Sequence, residues 1–166
     1  MKAEKGSHNY NYVNQILYDK FGNRKYIAYG NGTATTYNYD HANLRMTHLQ
    51  TVTANGRLIQ NNHYEYDAVG NILSLNNEAE ITEHETLYGG PTTNRYSYDN
   101  RYQLISAEGT HQGNDKQHKY NLTMEYGATG KILRKTQNNQ WRKADGEWNS
   151  DAETTVDYRY TYDGQK

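Results

Sequence analysis

Five aspartates directly follow a tyrosine: Asp19, Asp40, Asp67, Asp99 and Asp163. Carboxylates in such a series could serve as an acid–base pair for hydrolysis or as oxygen ligands for calcium. Their recurrence argues for another role. Each sits at the same local position, whereas hydrolysis needs one pair of carboxylates held in different environments. At such a position an aspartate accepts a backbone N–H two residues on and starts a chain reversal. The histidines, His8, His41, His48, His63, His84, His111 and His118, are scattered and form no His-Glu-x-x-His or related zinc pattern. Glu83-His84-Glu85 reads as a solvated loop. The chain has no Gly-x-Ser-x-Gly elbow, no phosphate-binding glycine loop and no Gly-x-Gly-x-x-Gly. The absence of cysteine rules out disulfides, thiolate metal sites and a cysteine nucleophile. The sequence therefore predicts a non-enzyme, with no catalytic residue, cofactor or metal ligand.

The aromatic residues offer a different chemistry, since their faces can pack against the C–H faces of sugar rings. Eighteen tyrosines are present. Four times the pattern is Tyr-x-Tyr-Asp, at Tyr37-Asn38-Tyr39, Tyr64-Glu65-Tyr66, Tyr96-Ser97-Tyr98 and Tyr160-Thr161-Tyr162. A strand alternates faces with period two, so both tyrosines of a copy share a face and the polar residue takes the other. That spacing favours a packing ladder over sugar binding. Trp141 and Trp148 lie outside the motif and are the better glycan candidates, although pairing across a hairpin centred on Asp145-Gly146 is the stronger expectation for them.

What must position these residues is a set of repeats. Tyr-Asp recurs at Tyr18, Tyr39, Tyr66, Tyr98 and Tyr162, with a degenerate copy at Tyr126-Gly127. Two continuations alternate after it. Asp19-Lys20-Phe21-Gly22-Asn23 and Asp67-Ala68-Val69-Gly70-Asn71 end in Gly-Asn, and Gly127-Ala128-Thr129-Gly130-Lys131 is a worn version. Asp40-His41-Ala42-Asn43-Leu44-Arg45 and Asp99-Asn100-Arg101-Tyr102-Gln103-Leu104 carry no glycine. Asn31-Gly32 and Asn55-Gly56 add hairpin signals between the copies. The segments Glu78 to Gly90 and Gly109 to Gln117 read as longer loops, with Pro91 closing the first. The expected fold is all-β: antiparallel hairpin repeats in a curved or spiralling sheet over residues 11–166, preceded by an N-terminal tail over 1–10 that need not belong to the natural protein.

Composition narrows the partners. Leu, Ile, Val and Phe make up only about 13% of the 166 residues, so tyrosine must replace aliphatic side chains as the packing residue. A net charge of -1, from 18 basic and 19 acidic residues, opposes both disorder and nucleic-acid binding. No segment approaches the roughly 18 apolar residues of a membrane-spanning helix, and Met1 to His8 has charges without an apolar signal core.

These repeats resemble the Rhs/YD-repeat family, which includes bacterial Rhs toxins, the C component of insecticidal toxin complexes and the animal teneurins. The likeness extends from about Tyr18 to Asp163 and rests on six copies with alternating flanks. It implies a sheet that spirals into a hollow shell, a secreted or cell-surface location, and a C-terminal toxin segment enclosed by the shell in bacterial members. On that reading the chain is an internal wall segment, too short to close a shell and lacking the Asp-Pro-rich self-cleavage region. Its partners would be the remaining repeats and the C-terminal region of the parent. A glycan- or protein-binding adhesion module, using exposed aromatics or a free sheet edge that could also dimerise, is the alternative. Because Tyr126-Gly127 lacks the aspartate and Leu44-Arg45 reverses the order of the second continuation, local irregularity is expected at those two turns.

Overall fold

The computed structural model of the chain describes residues 2–5, 8–80, 90–113, 115–144 and 146–162. It contains thirteen strands: β1 (Lys2–Lys5), β2 (His8–Asn11), β3 (Val13–Tyr18), β4 (Arg24–Tyr29), β5 (Ala34–Tyr39), β6 (Met46–Val52) and β7 (Leu58–Tyr66), then β8 (Ile72–Asn77), β9 (Thr92–Tyr98), β10 (Leu104–Gln112), β11 (Lys116–Tyr126), β12 (Ile132–Lys143) and β13 (Asn149–Arg159). β1 and β2 pair only with each other, and all of this pair except Asn11 lies in the segment read as an N-terminal tail. The other eleven form one open antiparallel sheet in which each strand neighbours the next in sequence, from β3 at one edge to β13 at the other. The fold is all-β, and the described residues contain no helix.

A single layer leaves both faces of the sheet wet. The accessible surface is 11850 Å², whereas a compact monomer of this mass would expose roughly 8500 Å². Among the described residues only Ile27, Tyr37, Ala79 and Ala107 are buried hydrophobics, and no large side chain is fully enclosed. The sheet is consequently held by backbone ladders and cross-strand side-chain pairs, and only weakly by a core.

Register divides the side chains into two faces. Tyr37 opposes Leu49, which opposes Asn62, two residues before Tyr64. Tyr64 opposes Leu75, then Asn94, two residues before Tyr96. Tyr96 opposes Ala107, then Leu122, and that row continues through Gln137 to Val156. The repeat tyrosines thus share one face. The other face carries polar and charged pairs, including Glu65 with Ser74 (2.8 Å) and Arg134 with Asp157 (2.8 and 2.9 Å).

Two local expectations fail. The stretch from Gly109 to Gln117 is not a long loop: β10 runs to Gln112 and β11 starts at Lys116, closed by Gly113 N–H to Lys116 C=O at 2.8 Å. Its polar sequence hid two strands because a single-layer sheet has no apolar side to demand hydrophobic alternation. The degenerate turn at Gly127 is also regular. Gly127 N–H reaches Lys131 C=O at 2.8 Å and Gly130 N–H reaches Gly127 C=O at 2.9 Å, the same two bonds that close the turn at Asp67. Only the Asp40 turn departs, by one extra residue, with Leu44 N–H on Asp40 C=O at 2.9 Å. Most of the Glu78 to Gly90 segment lies outside the described residues.

Candidate functional site: the turn edge and its tyrosine locks

Each described Tyr-Asp reversal begins at its carboxylate. Asp67 Oδ1 accepts the backbone N–H groups of Val69, Gly70 and Asn71 at 3.0, 2.7 and 2.9 Å, and Oδ2 accepts Asn71 Nδ2 at 2.8 Å. Asp19 accepts Phe21 and Asn23 N–H at 2.8 and 2.9 Å, and Asn23 Nδ2 at 3.1 Å. Asp40 binds the N–H groups of Ala42 and Asn43, and Asp99 those of Arg101 and Gln103. Asp163 lies outside the described residues. The turns fall at one end of every second strand, so successive carboxylates stand about 10 Å apart. Each is engaged within its own turn, an arrangement suited to holding backbone and unsuited to shared acid–base work.

Local desolvation acts to raise the pKa values of Asp19 and Asp67, but the hydrogen bonds from Asn23 and Asn71 and from the turn amides outweigh it, so both lie below the ordinary 3.8. The sign follows from linkage. A carboxylate that is more acidic when folded stabilises the fold above its unfolded value, and that contribution disappears as pH falls through the folded value. The urea midpoint should therefore fall between about pH 6 and about pH 2, and Asp67→Asn should flatten that dependence. Equal pH slopes for the two proteins would refute the assignment.

The second tyrosine of each copy does something that its spacing alone did not reveal. Tyr39 donates its hydroxyl to Arg24 C=O (2.8 Å), Tyr66 to Met46 C=O (2.8 Å) and Tyr98 to Ile72 C=O (2.9 Å). Tyr126 donates to Leu104 C=O (2.9 Å) and Tyr162 to Ile132 C=O (2.8 Å). In every case the acceptor is the first residue of the preceding strand, just after the preceding turn. Sheet irregularities at Tyr39, Tyr66 and Tyr126 fall beside these carbonyls, where the ladder shifts and an acceptor is left for the phenol. Burial pushes the hydroxyls of Tyr39, Tyr66, Tyr98 and Tyr126 up, keeping them protonated as donors. Tyr18, on the edge strand β3, is 60% exposed. Tyr37, Tyr64, Tyr96 and Tyr160 are the inner members of the motif. Tyr37 is the most buried of them and lies beneath the Arg24 guanidinium, 5.4 Å from its ring centre.

A second clasp joins alternate turns. Arg45 donates to Asp67 C=O at 2.8 Å and Ala68 C=O at 3.3 Å. Arg101 donates to Ala128 C=O at 3.0 Å and Gly127 C=O at 3.4 Å, while Gln103 Nε2 reaches Gly130 C=O at 3.1 Å. Each clasp runs from a glycine-free turn to the glycine-containing turn that follows. The alternation was visible in sequence, and the arginine confined to the glycine-free kind was the available signal.

The tryptophans do not pair. Trp141 lies opposite His118 and Asn149, on the tyrosine face, beneath the Lys116 ammonium at 4.4 Å. Trp148 packs against Lys119 (4.1 Å) and Arg142 (4.8 Å), whose register places them on the opposite face. Strand alternation separates the two rings, and cations already occupy ring surface on both. Among the described residues no three His, Cys, Asp or Glu side chains form a group able to hold a metal ion.

No family model matches the chain. Toxin subunit YenC2 of Yersinia entomophaga is 36% identical over 102 residues, covering 58% of this chain and 10% of that protein. Toxin subunit YenC1 of the same organism is 35% identical over 107 residues, covering 61% and 11%. The chain is similar in sequence to these two toxin subunits. It thus spans about a tenth of their length and fits an internal YD-repeat segment. The crystal structure of TcdB2-TccC3 matches with a TM-score of 0.71 at 24% identity, over 95% of this chain and 8% of that one. The crystal structure of TcdB2-TccC3-Cdc42 matches at 0.68 and 24% identity, over 89% and 8%. These structures share the fold, and the YD turns and tyrosine locks are the features through which this chain builds it.

Proposed function

We propose that the YD-repeat segment is a non-catalytic stretch of wall in a larger secreted toxin subunit, where it helps enclose a C-terminal segment of the parent. The carrying observation is the tyrosine lock repeated from Tyr39 to Tyr162 with the same donor and the same acceptor position. Such a device fixes one strand pair after another without limit, which suits an extended wall better than a single active site. The open, single-layer sheet supports the same reading, since a structural surface needs continuity and little core. The similarity to YenC1 and YenC2 supplies the toxin context.

Weakening the locks tests it. Each Tyr→Phe change leaves the ring and removes one hydrogen bond to a carbonyl, a loss of about 1 kcal/mol, or about 3 kcal/mol for Tyr66, Tyr98 and Tyr126 together if the sites add. The triple variant of the parent protein should expose its C-terminal segment to limited proteolysis at a temperature at which the unsubstituted protein resists. If proteolysis of that segment is unchanged while the melting temperature falls, the wall does not enclose it.

A further inference from the structure

β10 and β11 set His111 directly opposite His118 on the tyrosine face. The ring centres are 6.2 Å apart with the planes inclined by 31°. Neither ring has a hydrogen-bond or ion-pair partner among the described residues. Both line a cavity of about 420 Å³ whose other polar side chains are mostly engaged: Asn139 donates to Thr154 C=O at 2.7 Å, Tyr120 donates to Asn94 Oδ1 at 3.0 Å, and the Thr110 hydroxyl meets Thr93 at 2.7 Å. The two imidazoles are therefore conspicuous as nitrogen donors without a task.

The other cross-strand pair provides a contrast. His48 and His63 stack at 4.4 Å and 22°, so their nitrogens point side by side rather than at one another. Both His48 nitrogens are engaged, with Asn38 Nδ2 at 3.2 Å and Asn61 Oδ1 at 2.6 Å, and His63 Nε2 faces Glu78 at 3.4 Å. That pair is closed to a metal.

We propose that His111 and His118 form a two-imidazole site for a divalent transition metal ion of the Zn²⁺ or Ni²⁺ type. An ion midway between the rings would lie about 3 Å from each centre; with one nitrogen of each ring turned to it, that is the length of a metal–nitrogen bond of about 2 Å plus about 1.1 Å to the ring centre. That separation corresponds to two trans positions of an octahedral shell, with water completing it, since among the described residues no third His, Cys, Asp or Glu side chain groups with the pair to hold a metal ion. Imidazole donors without thiolate or clustered carboxylate select borderline transition ions over Mg²⁺ or Ca²⁺. Lys116, two residues before His118, has its ammonium over Trp141 and so is drawn off the site.

Calorimetric titration of the intact chain with Ni²⁺, and separately Zn²⁺, tests the assignment, with Mg²⁺ as control. Saturable one-to-one binding is expected, weakened at least about tenfold by either His111→Ala or His118→Ala because a single imidazole loses the chelate. His63→Ala should leave it unchanged. Histidine ring resonances in two-dimensional NMR give a second readout on the unsubstituted chain: those of His111 and His118 should shift or broaden first. Absence of saturable binding, equal loss in His63→Ala, or first shifts at His48 and His63 would each overturn the proposal.

Discussion

Gly109→Ala is expected to destabilise the sheet by about 2 kcal/mol, opposite in sign to what propensity suggests. Glycine inside a strand is usually a liability of roughly 0.5 to 1 kcal/mol against alanine, so the substitution should help on intrinsic grounds. The neighbours reverse this. A Cβ at residue 109 would stand 2.6 Å from Asn94 Oδ1, 2.6 Å from Tyr120 Cε1 and 2.7 Å from the Thr93 carbonyl oxygen. The Tyr120 ring lies across the bare backbone of its cross-strand partner, Gly109, and donates its hydroxyl to Asn94 at 3.0 Å. An added methyl must displace the ring, break that bond and push a backbone carbonyl, at an overpacking cost of about 3 kcal/mol, the upper end of the usual range. Chemical denaturation reads the difference directly. Adding Tyr120→Leu should recover part of the loss, since it frees the ring contact but not the one to Thr93. A stability equal to or above that of the unsubstituted chain would show that the Gly109 gap is not filled as described.

Turn glycines should fall into two classes when replaced by alanine. Gly22 and Gly56 adopt φ of 84° and 80°, and a Cβ on either would meet nothing within 4 Å. Gly22→Ala and Gly56→Ala should then cost only the left-handed backbone penalty, about 1 to 2 kcal/mol. Gly70 has φ of 111°, and its Cβ would lie 3.0 Å from Arg45 Nη2 and 3.2 Å from Cζ. Here the guanidinium must move as well, and with it the hydrogen bonds to Asp67 and Ala68. Gly70→Ala should cost about 3 kcal/mol, adding roughly 1 to 2 kcal/mol for bonds from a charged donor. In an Arg45→Ala background the excess of Gly70→Ala over Gly22→Ala should vanish, because the clasp is already gone. An excess that persists there would place its origin in the backbone alone.

Positive φ also occurs in the glycine-free turns. Leu44 and Tyr102 take φ of 59° and 62° at the positions where the other turns place glycine. Side chains rarely adopt this conformation, so the glycine-free turns carry strain that their Asp40 and Asp99 hydrogen bonds offset. The absence of glycine from Asp40 to Arg45 and from Asp99 to Leu104 therefore did not signal a different fold of the chain. It marked the turns whose side chains, Arg45, Arg101 and Gln103, reach forward to the next turn.

Much of the architecture is local and was legible for that reason. Tyr-x-Tyr spacing follows the two-residue period of a strand, Asp at the end of it meets amide groups two to four residues on, and Asn-Gly permits the reversal. All of these are decided within five or six consecutive residues, which is why the antiparallel hairpin repeat could be read from the amino-acid order. Other features depend on residues 11 to 26 apart in sequence, which only folding brings together. Tyr98 finds the carbonyl of Ile72, Arg45 the turn at Asp67, and Tyr120 the gap over Gly109 through strand register. The same register separated Trp141 from Trp148 by a face and set His111 and His118, seven residues apart on the two arms of one hairpin, directly opposite each other. A one-residue slip would reverse every one of those outcomes while leaving each local motif intact.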